Sequence, residues 1–464
     1  MYTVAELFCG CGGFSQGFSQ SHRFDVVFGN DIKPEALRTF AFDHTTERGA
    51  PEIFLGDIRL ASTRDIVAAL ERKGIRKGEL DCLIGGPPCQ GFSQMRRGEE
   101  RNGSEIVKFT GYNRLDQDPR NDLVLRFLEI ADELQPKFIL IENVPQMKRH
   151  SHNGVLGGLA ENVESVLRQM EYDVENKTLN AANYGVPQLR ERFFFLASRV
   201  SRASFPDQTH DDPESLALQR LDTLSSDFRP WVTVSEAIAD LPPPSRGLED
   251  ELGGRETELY PDVPLSAFAR DMRSRVSFPY NHLTRSYSAK ITRIIREMRP
   301  GETWDHAILR VQRRYEQLLA EQRKPGESRE DTLARLVEQG VIEPTFYREY
   351  YWSAYTRLAW ERPALTITAN ANFLGSGRFT HPEQDRGITM REAARLQSFR
   401  DDFRFITSPE NDEETNRIGV GLDMIGEAVP PLLAEALARH IASLLDRQAG
   451  EPAAEAAAET ARPA

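Results

Sequence analysis

At 464 residues, 39% of them apolar and 28% charged, the chain is long enough for two or three domains and has the composition of an ordinary globular enzyme. No run of about 18 apolar residues occurs, which excludes a membrane-spanning helix, and MYTVAELFCG lacks the basic start and long apolar stretch of a signal peptide. The net charge of −13 argues mildly against a nucleic-acid partner, although Arg270–Arg299 reverses it locally, with eight Lys and Arg against two Asp and Glu.

In chain order, TVAELF, DVVFGN, EIFLGD, LDCLIGG, KFILIEN and RFFFLAS read as short buried strands within residues 1–198. A helix is expected over Asn121–Leu134, where Val124, Phe127, Leu128, Ala131 and Leu134 share one face, and another over Leu159–Met170. Strands alternating with helices imply a largely parallel sheet covered on both faces, with ligands beyond the carboxyl ends of its strands. Residues 199–360 are less regular, with proline-rich breaks such as LPPPSRG and YPDVP. They include the amphipathic stretch AILRVQRRYEQLLAEQRK, which reads as packing scaffold or an insertion near 305–345. From about 361 to 447 the α/β character returns. RPALTITA is strand-like, Thr389 and Glu392 form a capping box ahead of MREAARLQSF, and a last helix is expected over Pro431–Leu445. The tail 448–464 is of low complexity and is expected to be disordered.

The loop LFCGCGGFSQGF places Gly10, Gly12 and Gly13 at the end of the first strand, where a backbone free of Cβ atoms can approach a ligand. Its G-x-G-G order departs from the dinucleotide fingerprint, which disfavours a nicotinamide dehydrogenase. Asp31, at the end of the second strand, suits a ribose diol, and Asp57, after the third, suits an adenine amino group. Phe8, Ile32 and Ile58 supply apolar surface for the ring. Each acid alone reads as a loop former; three successive strand ends with matching chemistry read as an adenosine site.

Four cysteines, Cys9, Cys11, Cys82 and Cys89, are too few for a disulfide framework and fit a reducing, cytoplasmic setting. Cys9-x-Cys11 has no second pair or nearby His at ligand spacing, so no metal is expected. Cys82 reads as core. Cys89 stands in GGPPCQGFS, behind two prolines at a strand end, presented rather than packed. Glu142 ends the ILIEN strand, and Arg190 and Arg192 alternate by two in QLRERFF, so both guanidinium groups fall on one face. These groups form either a reactive constellation or an ion-paired rim.

In order and rough spacing, LFCGCGGFSQGF, GGPPCQGFS, DPRNDL, IENV, QLRERFF, RGITMREAARLQSF and GEAVPP resemble the motifs of the DNA (cytosine-5) methyltransferases of bacterial restriction-modification type. The resemblance covers about residues 1–198 and 350–445. It implies a Rossmann-like α/β fold that binds S-adenosyl-L-methionine, with 199–360 as a smaller, irregular target recognition domain. It also implies roles: Cys89 adds to C6 of a flipped-out cytosine, Glu142 neutralises charge at N3, Arg192 holds the carbonyl oxygen and Arg190 orders the loop. The cofactor set becomes Phe8, Gly10, Gly12, Gly13, Asp31, Ile32, Asp57, Ile58, Pro88, Leu123, Glu427 and Ala428. Gln90 and Ser93, with Arg285, Lys290 and Arg293 of the basic stretch, are expected to contact DNA.

The partners implied are double-stranded DNA and a cognate endonuclease or defence-system protein, with the chain acting as a monomer. Gly426-Glu427-Ala428-Val429 departs from the family's usual Gly-Asn-Ala/Ser-Val, which leaves a catalytically weak DNA-binding relative as one alternative. A transfer RNA cytosine-5 methyltransferase is another; that branch carries Cys-Phe-Thr, and no cysteine here is followed by Phe-Thr.

Overall fold

The computed structural model describes residues 1–47, 49–88, 99–102, 105–108, 121–149, 151–152, 155–156, 158–221, 227–244, 259–273, 276–348, 354–407 and 414–450. By its contacts the chain divides into two compact units. One comprises 1–185, 190–229 and 428–464; the other comprises 186–189 and 230–427.

The first unit is built on seven strands: β1 (Tyr2–Leu7), β2 (Phe24–Asp31), β3 (Glu52–Leu55), β4 (Cys82–Gly85), β5 (Phe138–Asn143), β6 (Asp173–Asn180) and β7 (Glu191–Ser198). Their order across the sheet is β3-β2-β1-β4-β5-β7-β6. The five strands from β3 to β5 are parallel, whereas β7 runs antiparallel to both neighbours, with Phe194 opposite Glu142 and Thr178 opposite Phe193. Leu83 and Ile84, and likewise Ile139, Leu140 and Ile141, are wholly buried on both faces. Central parallel strands therefore read as continuous apolar runs, because helices cover both sides. The mostly parallel α/β class expected from the sequence is the class found.

Helices α1 (Gly13–Gln20), α2 (Pro34–Asp43), α3 (Thr63–Arg72), α4 (Asn121–Leu134) and α5 (Gly158–Gln169) alternate with these strands. The apolar face read for α4 is the buried one: Val124, Phe127, Leu128, Ala131 and Leu134 all enter the core. The edge strand β6 escaped the sequence reading because DVENKTLN is mostly polar; only Val174 and Leu179 are buried. On the first helix, a Cβ on Gly17 would stand 2.4 Å from both Ala434 Cβ and the Pro431 carbonyl. That glycine lets α1 lie directly on the last helix of the unit, Pro431–Gly450.

In the second unit, the expected strand RPALTITA is reduced to Ala364–Leu365, paired in parallel with Gln188–Leu189. Beyond this short ladder the Leu189 carbonyl accepts from the Thr366 hydroxyl at 2.8 Å, and Ile367 N–H donates to the Gln188 side chain at 2.9 Å. The amphipathic stretch forms a helix over Trp304–Glu321, and its face of Trp304, Ala307, Val311, Tyr315 and Leu319 is buried, with Trp304 stacked on Phe346 at 4.7 Å. Residues 361–427 group with this unit, and the chain rejoins the first unit at Ala428 instead of 361.

The physical reason is a set of buried arginines. The helix Met390–Leu396 starts from the capping box of Thr389 and Glu392. Arg391 donates to the carbonyls of Tyr280, Arg400 and Phe403 at 2.7, 2.8 and 2.6 Å. Arg395 pairs with Asp240 and Asp401, both at 2.6 Å, and all three side chains are buried. Removing one member of such a network leaves uncompensated charge out of water. Arg395→Ala is expected to cost about 3–5 kcal/mol, read as a lowered urea midpoint of unfolding.

Candidate active site

The carboxyl ends of β1, β2 and β5 and the start of β7 carry most of the residues singled out above. At the end of β1, Phe8 takes a left-handed conformation with φ of 57°. A non-glycine residue rarely adopts this, and such residues concentrate at ligand sites. The chain then turns through Gly10 (φ 53°) and Gly12 (φ 90°) into α1, which begins at Gly13. A Cβ on Gly10 would meet nothing within 4 Å, so this side of the loop is open. Asp31 closes the turn from β2: its Oδ2 accepts the Gly10 N–H at 2.8 Å and its Oδ1 accepts the Lys33 N–H at 2.8 Å. These bonds fix the Asp31 carboxylate in place.

Beside it, Ile32 is 62% exposed, an unusual position for isoleucine, whereas Ile58 is 2% exposed within the core and offers a ligand little side-chain surface. Leu123 is likewise a core residue of α4. Asp57 is gripped by Arg59, whose Nε lies 3.0 and 3.1 Å from the two carboxylate oxygens and whose Nη2 lies 2.5 Å from Oδ2. These bonds hold the Asp57 carboxyl below the usual carboxylate range. Arg59 had no reading from the sequence, although its D-x-R spacing was the available signal.

Behind the glycine loop lies a polar cluster that the sequence reading also missed. Glu6, inside buried β1, accepts the Ser15 N–H at 3.1 Å, and Ser15 Oγ lies 2.8 Å from His44 Nε2. A charged residue in an otherwise apolar strand was the signal. Burial pushes the Glu6 carboxyl up to about 8 and the His44 imidazole down to about 4. Cys9 and Cys11 are buried here too, and burial drives the Cys9 thiol well up, so it stays protonated.

At the other strand ends, Arg192 Nε lies 2.7 Å from Glu142 Oε1, each side chain only 14% exposed. Arg190, 1% exposed, donates from Nη2 to the Ala428 carbonyl at 3.1 Å, which brings QLRERFF and the Ala428-Val429 turn together. Burial and the neighbouring Arg192 charge push the Arg190 guanidinium's pKa well down, and Glu142 opposes this. Arg192 thus meets Glu142 directly, whereas Arg190 bonds the Ala428 carbonyl and feels Glu142 only through its charge. Asn143 Nδ2 donates to the Pro87 carbonyl at 3.3 Å, and a Cβ on Gly86 would stand 3.0 Å from Glu142 Oε2. Glu142 therefore sits against the segment that leads through the half-buried Pro88 toward Cys89. Cys89, Gln90 and Ser93 lie outside the described residues.

A family model for C-5 cytosine-specific DNA methylases matches residues 2–443. The chain belongs to that family. This methyltransferase is 31% identical to the type II methyltransferase M.AgeI of Thalassovita gelatinovora, over 94% of this chain and 98% of the relative. It is 28% identical to M.DdeI of Desulfomicrobium norvegicum, over 94% and 88%. The mouse DNA (cytosine-5)-methyltransferase 1 is 28% identical over 97% of this chain but only 29% of its own length. In fold, it is similar to an E. coli prophage protein assigned as a DNA modification methyltransferase, with a TM-score of 0.60, 21% identity and coverage of 96% and 100%. The protein is accordingly a DNA (cytosine-5) methyltransferase with S-adenosyl-L-methionine as methyl donor.

In the second unit, Glu427 ends the helix Glu414–Glu427 and is exposed. Arg285 binds the side-chain and backbone oxygens of Asn372, and Arg293 pairs with buried Glu343 at 3.1 Å. Lys290 is exposed on its helix. Among the described residues, no helix is long and apolar enough to cross a membrane.

The Glu6 carboxyl gives a pH prediction. Its folded pKa is raised from 4.5 to about 8, so between those values the folded state holds a proton that the unfolded chain has released. This contribution is complete below the lower value and is lost as pH rises through the upper one. Melting temperature should therefore decline between pH 5 and 8 more steeply in the wild type than in Glu6→Gln, as thermal scans across that range would show.

Proposed function

We propose that the protein methylates C5 of a flipped-out cytosine in a specific duplex DNA sequence, through a transient bond between the Cys89 thiolate and C6. We further infer that it serves as the modification enzyme of a restriction or phage-defence system, as a monomer. The observation that carries the reading is the Glu142–Arg192 pair at 2.7 Å, set against the segment that leads to Cys89. C5 of cytosine is too weak a nucleophile to take a methyl group unaided. Sulfur adding to C6 makes C5 enamine-like, and a proton shared between Glu142 and N3 neutralises the charge that develops on the ring. Arg192, already ion-paired to Glu142, is suited to hold the base's carbonyl oxygen. Once C5 carries the methyl group, loss of the C5 proton and rupture of the S–C6 bond return the thiolate. Because C6 is inaccessible inside a stacked duplex, the base must leave the helix.

The residues present fit the methyl donor. S-adenosyl-L-methionine supplies an electrophilic methyl group on a sulfonium. Asp31 is suited to accept from its ribose hydroxyls, Asp57 from its adenine amino group, and exposed Ile32 to cover the ring. The open side of Gly10 leaves room for close backbone approach. Pro88 and Ala428 are half-buried and available to line the same pocket, and Glu427 remains a candidate at the methionine end. Among the described members of the proposed DNA set, Lys290 is exposed, while Arg285 is bound to Asn372 and Arg293 to Glu343.

Bisulfite sequencing of DNA from cells expressing the protein should reveal new 5-methylcytosine in one sequence context, and none at all would defeat the proposal. Cys89→Ala should abolish that methylation and the covalent adduct with duplex carrying 5-fluorocytosine, while leaving the melting temperature nearly unchanged. For the donor site, Arg59→Gln releases Asp57 from its clamp. It is expected to weaken S-adenosylhomocysteine binding about 3- to 10-fold, because the unheld Asp57 side chain must then be ordered when the ligand binds, as isothermal titration would measure.

A further inference from the structure

The stretch 363–382, PALTITANANFLGSGRFTHP, contains no Asp or Glu in a chain whose net charge is −13. At its centre two tight turns, Ala369–Asn372 and Leu374–Ser376, flank Phe373. Phe373 is 66% exposed, the most exposed aromatic side chain among the described residues. A single exposed apolar residue is ordinary. What is not ordinary is how firmly this one is held.

The backbone is bonded on both sides of the ring. Phe373 N–H donates to the Asn370 carbonyl at 2.9 Å, Ser376 N–H to the Phe373 carbonyl at 3.0 Å, and Tyr355 N–H to the Leu374 carbonyl at 3.0 Å. Ser376 Oγ adds a bond to the Phe373 carbonyl at 2.7 Å. Ala371 and Leu374 are buried anchors either side, and Arg285 grips both oxygens of Asn372. The ring itself lies over Gly375, where a Cβ would come within 2.9 Å of Phe373 Cζ and 3.0 Å of Cε1. Only glycine leaves room for the ring in this pose.

We propose that Phe373 is a wedge that stacks against or between bases of the DNA substrate, on a turn preset by Arg285, Asn372 and Gly375. The proposal rests on the reading above that duplex DNA is the substrate. A rigid aromatic ring standing alone suits a base stack, because every base offers a π-face and the ring loses little freedom on insertion. An apolar protein partner would be met by a patch. Among the described residues of 354–407, Phe373 is the one large apolar side chain that is exposed. The acid-free turn offers no carboxylate to repel flanking phosphates. Phe373 thus acts as a positioning residue for the duplex, touching neither the methyl donor nor the reacting carbon.

The test uses the full chain and a short labelled duplex carrying the site mapped by bisulfite sequencing, with binding followed by fluorescence anisotropy across a salt series. Phe373→Ala should weaken duplex binding about tenfold, as loss of one base–aromatic stack does. The salt slope should stay unchanged, because no phosphate contact is removed. KM for S-adenosyl-L-methionine should also stay put, and Phe373→Trp should restore binding to within about threefold of wild type, tryptophan keeping the stacking face. Binding by Phe373→Ala within about twofold of wild type would overturn the proposal, since even a weak stack exceeds that. So would a tryptophan variant as weak as the alanine one, which would mark a merely structural role. Wild-type binding to the duplex tests the substrate reading by itself; only the difference among Phe373 variants tests the wedge.

Discussion

Glu142 and Arg192 meet because β7 runs antiparallel to β5. The register that sets Phe194 opposite Glu142 brings the start of β7 beside the carboxyl end of β5, and a guanidinium closes to 2.7 Å on a carboxylate. In an all-parallel sheet the two groups would lie at opposite edges. With each side chain only 14% exposed, neither charge is well hydrated, and each depends on the other. That dependence orients Glu142 toward the Gly86-Pro87 segment, and Gly86 has no Cβ to obstruct it. The single reversed strand is therefore what brings Glu142 and Arg192 to one edge of the sheet.

Arginines recur in the second unit in a different capacity. Arg391, Arg395 and Arg386 are buried, and each is matched by carboxylates or carbonyls: Arg386 forks onto Glu392 at 2.7 and 2.6 Å, while Arg395 lies between Asp240 and Asp401. A buried ion pair adds little net stability over apolar packing but tolerates few alternative geometries. The charges of the MREAARLQSF motif hold remote segments of one unit in register.

Much of this was readable from residue order. The first-unit strands other than β6 and the extent of α4 follow from apolar runs and 3.6-residue periodicity; of the two arginines in QLRERFF, Arg192 meets Glu142 and Arg190 turns to the Ala428 carbonyl. What escaped had weak local signals. DVENKTLN is polar because an edge strand needs only alternate burial, and RPALTITA pairs over two residues only, beyond which side chains of Thr366 and Gln188 take up backbone groups. Ile58 carried the right motif but faces the core, and two of the arginines assigned to DNA are engaged by Asn372 and Glu343. Pairings across long sequence separations, such as Arg285 with Asn372, have no local signature at all.

The bare surface at Gly17 also bears on biosynthesis. Helix α1 rests on Pro431–Gly450, and Tyr2 and Arg23 both bond Asp446. The scaffold behind the glycine loop is thus completed by residues translated some 400 positions later, which at about 5–20 residues per second is a delay of roughly 20–80 s. Throughout that interval the nascent chain carries an uncovered apolar helix face, an opening for chaperone capture, and ribosome-bound intermediates would not yet possess a finished glycine loop.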